Sequence, residues 1–304
     1  MPIAGVELGG TKCVCTLAAG PDAIIDQAEI PTSDPEETLG AIKHMLRKWW
    51  AERRFRALGI ASFGPICLDP ALPLYGHILE TNKPHWSGFD VLGTLSSEFP
   101  VACGVDTDVN AAALAEMAWG SGRGLSDFSY VTVGTGVGVG LIVNGMATRG
   151  LLHGELGHMV IPRTPGDDFP SICRFHDCCV EGLASGSAIK ARLGVEQIAH
   201  VAPDHPVWDI VVNALAALCH NMVCTTGPRR IAFGGGVMNR QPHLLARIEA
   251  QLEQSLAGYM RLPTDRPYIV APELGDQAGP LGSIFLGIAA EAGAATNPLE
   301  LAAE

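Results

Sequence analysis

Two glycine turns, each set between short apolar runs, constrain this chain more than any other feature. The first is Glu7-Leu8-Gly9-Gly10-Thr11-Lys12, between Ile3–Leu8 and Cys13–Leu17. The second is Gly134-Thr135-Gly136-Val137-Gly138, after the strand-like run that begins at Tyr130. Consecutive glycines allow a turn with positive φ and bring bare N–H groups close to an anion. Thr11 and Lys12 add a hydroxyl and a positive charge that phosphate can use, and Glu7 is placed to hold a metal ion through water. Taken alone, the first turn is as readily an ordinary hairpin, and the second a glycine-rich barrel corner. The pair is more specific, because a nucleotide held between two lobes needs a gripping turn from each. The first turn matches neither G-x-x-x-x-G-K-[ST] nor G-x-G-x-x-G, so those two phosphate loops are excluded there.

The 304 residues suggest about two domains, at roughly 150 residues each. After the first hairpin a helix is predicted, capped by Asp34, with Pro35 at its first position and Glu37 in capping-box spacing. Leu39, Ile42, Leu46 and Trp49 fall on one face of it. Arg56–Ser62 reads as a buried strand running into the turn Phe63-Gly64-Pro65, and Val101–Val105 as another strand. Asp108-Val109-Asn110 then opens an alanine-rich helix through Trp119. Further on come helical segments Gly186–Leu193 and Val207–Cys224, strand Arg230–Phe233, an apolar segment around Leu244–Leu256, a strand near Tyr268–Ala271 and a closing helix from about Ala278. The predicted class is α/β, with a small lobe over 1–115 and a larger one over 116–304. The closing helix is left free to pack back on the first lobe. No 20–50-residue period recurs, but the order of elements suggests a duplicated βββαβα-type unit.

Lys and Arg number 20 against 32 Asp and Glu, a formal charge of −12, which repels nucleic acid and anionic membrane as main partners. Phe128–Thr148 carries no charge and is long enough for a membrane span. Its five glycines fit a turned pair of buried strands better. MPIAGVELGGTK shows no secretory signal. The nine cysteines are odd in number and three lie within seven residues, a reduced-thiol or metal pattern rather than a disulfide framework. A cytoplasmic protein is expected.

Four further groups carry chemistry. Asp108, in Asp106-Thr107-Asp108-Val109-Asn110, sits where a strand yields to a helix, whose dipole favours a carboxylate able to accept a hydroxyl proton. The alternative is a plain helix cap. His158 with Cys173-x2-His176-x2-Cys179 matches the two-nitrogen, two-sulfur preference of Zn²⁺, with Cys178 as competitor for Cys179 and free thiols as the bland reading. Such a closed site clips a loop rather than doing chemistry. Glu155, His158 and Glu181 suit polyol recognition, which pairs acceptors and donors with vicinal hydroxyls. Gly234-Gly235-Gly236 and Gly275–Gly279 are candidates for shaping an adenosine pocket.

Together GVELGGTK, ASFGP, TDVNAAALAE, VTVGTGVGVG, GELGH, the Cys/His cluster with VEGLASG, IAFGGGVM and LGDQAGPLG resemble the ROK family of sugar kinases, most nearly its bacterial zinc-containing fructokinases. The resemblance implies a two-lobed actin/hexokinase-like (ribonuclease H-like) fold with a central cleft, and ATP-dependent phosphorylation of D-fructose to fructose 6-phosphate with Mg²⁺. Position by position, it implies Asp108 as catalytic base. Gly9, Gly10, Thr11, Lys12, Gly134, Thr135, Gly136 and Gly234–Gly236 become ATP contacts. Glu155, His158, Glu181 and Thr107 become sugar contacts, and His158, Cys173, His176 and Cys179 zinc ligands. A homodimer is implied too. Where many glucose-phosphorylating members have Asp and Asn, this chain has Glu7 and Thr107, which favours fructose. A broader hexose kinase (mannose, glucose, N-acetylhexosamine) and a non-catalytic sugar binder are the alternatives. With the first motif beginning at residue 7, no helix-turn-helix of the family's repressor branch is expected.

Overall fold

The computed structural model describes residues 1–293, so the end of the 116–304 expectation, from residue 294 on, lies outside the described residues. In chain order the elements are β1 (Ile3–Leu8), β2 (Lys12–Ala18), β3 (Ile24–Pro31), α1 (Pro35–Glu52), β4 (Ala57–Ser62), α2 (Val91–Ser96), β5 (Ala102–Thr107) and α3 (Asp108–Trp119). There follow β6 (Phe128–Val133), β7 (Val137–Val143), β8 (Met146–Ala147), α4 (Val180–Ala184), α5 (Gly186–Leu193) and α6 (Val207–Thr225). Last come β9 (Ile231–Gly234), α7 (Gly236–Arg240), α8 (Leu244–Leu256), β10 (Ile269–Val270) and α9 (Ala278–Ala292). The uncharged run is thus three strands.

Two compact units form. The chain passes between them at 126/127, 139/140, 154/155 and 275/276, rather than once near residue 115. Of the described residues, the first unit holds 1–126, 140–154 and 276–293, and the second holds 127–139 and 155–275. Helix α3 stays wholly in the first unit because it packs along α9.

The first unit is built on a sheet ordered β3-β2-β1-β4-β5, with β2 antiparallel to both neighbours and β1, β4 and β5 parallel. Its core gathers Val6, Leu8, Ile60 and Phe63 against the buried face of α1, where Leu39, Ile42, Leu46 and Trp49 are at most 1% exposed. Asp34 caps α1 by accepting the Glu36 N–H, and Glu37 instead takes the Ser33 hydroxyl. On the sheet, Gly5, Gly59 and Gly104 stand side by side in register. A Cβ there would lie 2.2 Å from Ser283 Oγ, 1.8 Å from Ser283 O and 2.4 Å from Leu286 O, respectively. The row exists so that α9 can lie backbone-close on three strands.

The second sheet runs β10-β9-β6-β7-β8, with β6, β9 and β10 parallel. The second unit's core includes Val131, Leu183, Val211, Leu215, Ile231, Phe233 and Ile248. Helix α6 is the one described helix long and apolar enough to cross a membrane. It lies against α4 and α8, with Trp208, Val211, Leu215, Leu218 and Met222 fully buried, which is how the core helix of a globular unit looks.

Candidate active site

In the first unit, β5 ends at Thr107 and α3 begins at Asp108. Thr107 is the cap: its hydroxyl oxygen accepts the Asn110 N–H at 3.1 Å. This answers the alternative reading of Asp108 as the cap. Thr107 itself is 2% exposed, its hydroxyl oxygen engaged by the first turn of the helix. Asp106 is 1% exposed and structural. Its Oδ1 accepts Thr107 N–H (2.7 Å) and Asn110 Nδ2 (2.9 Å), and its Oδ2 accepts Arg149 Nη2 at 2.6 Å. Asp108 is therefore the carboxylate of this motif that keeps an opening to solvent, at the positive end of α3. Burial pushes its pKa up to about 7, opposed by the backbone N–H groups of Val109 and Asp108 itself and by the charge of Lys83.

Beside it stands Glu7, on β1. Burial and then the Asp108 charge raise its pKa to about 7, while Lys12 pulls the other way. The first turn of α9 closes over Glu7: a Cβ on Gly279 would lie 2.0 Å from its Oε1.

The glycine turn between β1 and β2 needs Gly9 for closeness, not handedness. Neither Gly9 nor Gly10 has positive φ, contrary to expectation. Gly9 N–H donates to Lys12 O at 3.1 Å, and a Cβ on Gly9 would lie 2.6 Å from that oxygen. Thr32 clamps the turn from outside, its hydroxyl donating to Gly9 O (2.8 Å) and its N–H to Thr11 O (3.0 Å). Lys12, expected to meet phosphate, is ion-paired with Glu29 on β3, both side chains more than half exposed.

Sequence reasoning missed Lys83. A lone lysine in an irregular segment has no periodicity or motif to mark it. Its ammonium donates to Gly10 O and lies over the Phe63 ring, 4.9 Å from the centroid. Trp86 packs edge-on against Phe63 at 5.1 Å and donates its indole N–H to Ser33 O at 2.9 Å.

In the second unit the turn at Gly134-Thr135-Gly136 is fastened to α5. Gly134 O accepts Gly186 N–H (2.8 Å), and Thr135 O accepts the Ser187 hydroxyl (2.8 Å). Here too no glycine has positive φ. Glu181 Oε2 accepts Val137 N–H at 3.0 Å, and a Cβ on Gly136 would lie 2.4 Å from that oxygen. The other oxygen of Glu181 faces His158 Nε2 at 3.8 Å. Glu155 is exposed, at the start of the short helical turn Leu156–His158. Gly235, after β9, does need a glycine: its φ is 90°, and a Cβ would lie 2.6 Å from Val133 O.

One ligand atom each from His158, Cys173, His176 and Cys179 lies within 4.8 Å of all the others. His158 Nδ1 is 3.6 Å from Cys173 Sγ and 3.9 Å from Cys179 Sγ, and His176 Nδ1 is 3.5 Å from Cys173 Sγ. Cys178 is outside the group; its carbonyl accepts Ile161 N–H. Two imidazoles and two sulfurs at this spacing fit a tetrahedral zinc ion. The ligand loop is tied back by Asp167, which takes two bonds from Arg192 (2.5 and 2.7 Å) in a pair at most 7% exposed.

Over 290 aligned residues, 95% of this chain and 99% of the relative, the sequence is 40% identical to a fructokinase of Pediococcus pentosaceus. It is 39% identical over 291 residues, 94% and 96%, to a fructokinase of Zymomonas mobilis. The crystal structure of a ROK hexokinase from Thermus thermophilus matches at a TM-score of 0.75 and 24% identity, covering 95% of this chain and 98% of that one. A ROK family glucokinase from Streptomyces griseus, solved with glucose and AMPPNP, also matches at 0.75, with 22% identity and coverage of 95% and 99%. These two establish the α/β fold. Residues 3–290 match the ROK family, and the chain belongs to it.

Proposed function

We propose that this chain is a fructokinase, transferring the γ-phosphoryl group of MgATP to the 6-hydroxyl of D-fructose. The observation that carries the reading is Asp108: a partly open carboxylate at a helix N-terminus, with a pKa near 7, in a family whose 34–40% identical members here are fructokinases. A base with that pKa matches the operating pH, where general-base assistance is most effective. In the reaction the hydroxyl oxygen bonds to the γ-phosphorus as the bond to the β-phosphate bridge breaks. ADP leaves, and the hydroxyl proton passes to Asp108.

The turn amides of Gly9–Lys12 and of Gly134–Gly136 are the groups we assign to the phosphates, with Gly234–Gly236 on the adenosine side. Glu155, Glu181 and the Nε2 edge of His158 are assigned to the sugar, and Nδ1 of His158 to the metal. Glu7 would hold, through water, the Mg²⁺ that accompanies ATP, and that charge would relieve the repulsion between Glu7 and Asp108. A zinc ion on His158, Cys173, His176 and Cys179 would fix the 158–179 loop and, with Glu181 behind His158, orient that ring.

The test is ADP release measured over a panel of fructose, mannose, glucose and N-acetylhexosamines. Fructose is expected to give the highest kcat/KM; a higher value for another hexose replaces the substrate assignment, and no hexose-dependent ADP at all refutes the kinase reading. Metal analysis is expected to return about one zinc per chain, with Cys173→Ser losing it and melting at lower temperature. A carefully purified chain without zinc, equally stable, would undo the metal assignment. Assembly as a homodimer and a cytoplasmic location belong to the same proposal.

A further inference from the structure

We propose that Lys83 is a catalytic residue, its ammonium leaving the Gly10 carbonyl to bind the oxygens of the phosphoryl group in flight to the sugar. That is the task the sequence alone assigns to Lys12. The inference rests on the kinase reading above and adds a residue that reading does not contain.

Two observations within the first unit support it. The ammonium is anchored on Gly10 O, so it sits on the turn whose amides are assigned to phosphate. Of its three N–H donors, one is placed there, which leaves capacity for a second acceptor. Its charge acts on Asp108, the group that takes the hydroxyl proton, so base and cation share one neighbourhood. The phosphoryl group passes between the base-bound hydroxyl and the phosphate turn, and a cation beside both meets the charge that develops on it.

The surroundings favour a reacting cation over a surface one. Lys83 lies half-buried on the Phe63 ring, which Trp86 backs. Aromatic walls thin out water and so strengthen a charge contact. Lys83 also lines a cavity of about 240 Å³ together with Thr32, Ser33, Asp34, His85 and Trp86. Lys12 has no such setting, being exposed and paired with Glu29. No covalent bond to Lys83 forms or breaks; its part is electrostatic.

The experiment compares Lys83→Met, Lys83→Arg and a charge-matched control, Lys48→Met on the exposed side of α1, in the zinc-loaded chain with fructose and MgATP. Lys83→Met is expected to lose about 10²–10³-fold in kcat, with the fructose KM within about threefold. Lys83→Arg is expected to recover part of that loss, and Lys48→Met to keep the wild-type rate. A second readout separates contact with the phosphoryl group from mere support of the turn. ADP with fluoroaluminate, a mimic of the phosphoryl group in transfer, should inhibit the wild type far more tightly than Lys83→Met, while ADP alone binds both equally. If Lys83→Met fails to fold, Lys83→Gln takes its place in both measurements. A methionine variant within about fivefold of wild-type kcat, or one weakened equally toward ADP and the mimic, overturns the assignment of Lys83 alone. A wild type that releases no ADP with any hexose overturns the kinase reading and this assignment together.

Discussion

Asp108→Asn is expected to lower kcat for fructose phosphorylation by about 10²–10⁴-fold, the usual worth of a positioned general base. Sugar binding should be largely kept, since asparagine preserves the volume and the bond from Val109 N–H at 2.9 Å. In the wild type the ionised carboxylate is the active form. With its pKa raised to about 7, activity should climb as pH rises through 7, and the variant should lose that limb. Stability should move the other way. A carboxylate that holds its proton more tightly when folded contributes stability fully below its unfolded value of 3.8. That contribution is lost as pH rises through about 7. At neutral pH the folded chain therefore bears the cost of an ionised, partly desolvated group. A rise from 3.8 to about 7 would correspond to about 4 kcal/mol for a fully desolvated group, and the solvent-facing part of Asp108 reduces this to on the order of 1–3 kcal/mol. Asp108→Asn should accordingly be nearly inactive yet melt higher than the wild type at pH 7. A variant with wild-type turnover removes Asp108 from the mechanism; one that melts lower refutes the electrostatic account.

The largest stability effect is expected at a glycine remote from any chemistry. Gly59→Ala puts a methyl 1.8 Å from Ser283 O and 2.6 Å from Gly287 N, both backbone atoms that no rotamer change can clear. Overpacking of this kind costs about 3 kcal/mol or more, a fall in Tm of roughly 6–10 °C. Gly40→Ala is the matched comparison. Gly40 is exposed inside α1 with nothing within 4 Å of an added Cβ, so alanine there should stabilise by about 0.5–1 kcal/mol. Equal melting temperatures for the two variants would show that α9 does not rest on the glycine row as described.

What was legible in the sequence was whatever local chemistry fixes. Pro35 after Asp34 and the Leu39, Ile42, Leu46, Trp49 spacing gave α1; apolar runs beside glycine turns gave β1, β2 and β6. The two imidazoles and two sulfurs were legible because metal chemistry dictates their spacing, and the fold brings those four together. Strand β3 was missed because it lies along one edge of its sheet, alternating between exposed and half-exposed residues, with a polar composition. Lys83 was missed because its meaning is tertiary: nothing local ties it to Gly10, 73 positions away. The glycines misled in one respect. Gly9 and Gly136 are small because Lys12 O and Glu181 crowd them, a reason invisible until strands and helices meet. The interleaved units were likewise beyond a linear reading, since a chain that returns twice leaves no mark at the point of return.

Helix α9 follows every other described element, yet it covers the sheet built from the chain's first hundred or so residues. During synthesis the ribosome releases β1, β4 and β5 long before their cover exists. Until α9 emerges, a furrow of bare glycine backbone stays open to water and to other nascent chains. The first unit therefore completes its folding late, after the whole second unit has been made, and Glu7 gains its lid only at that final step.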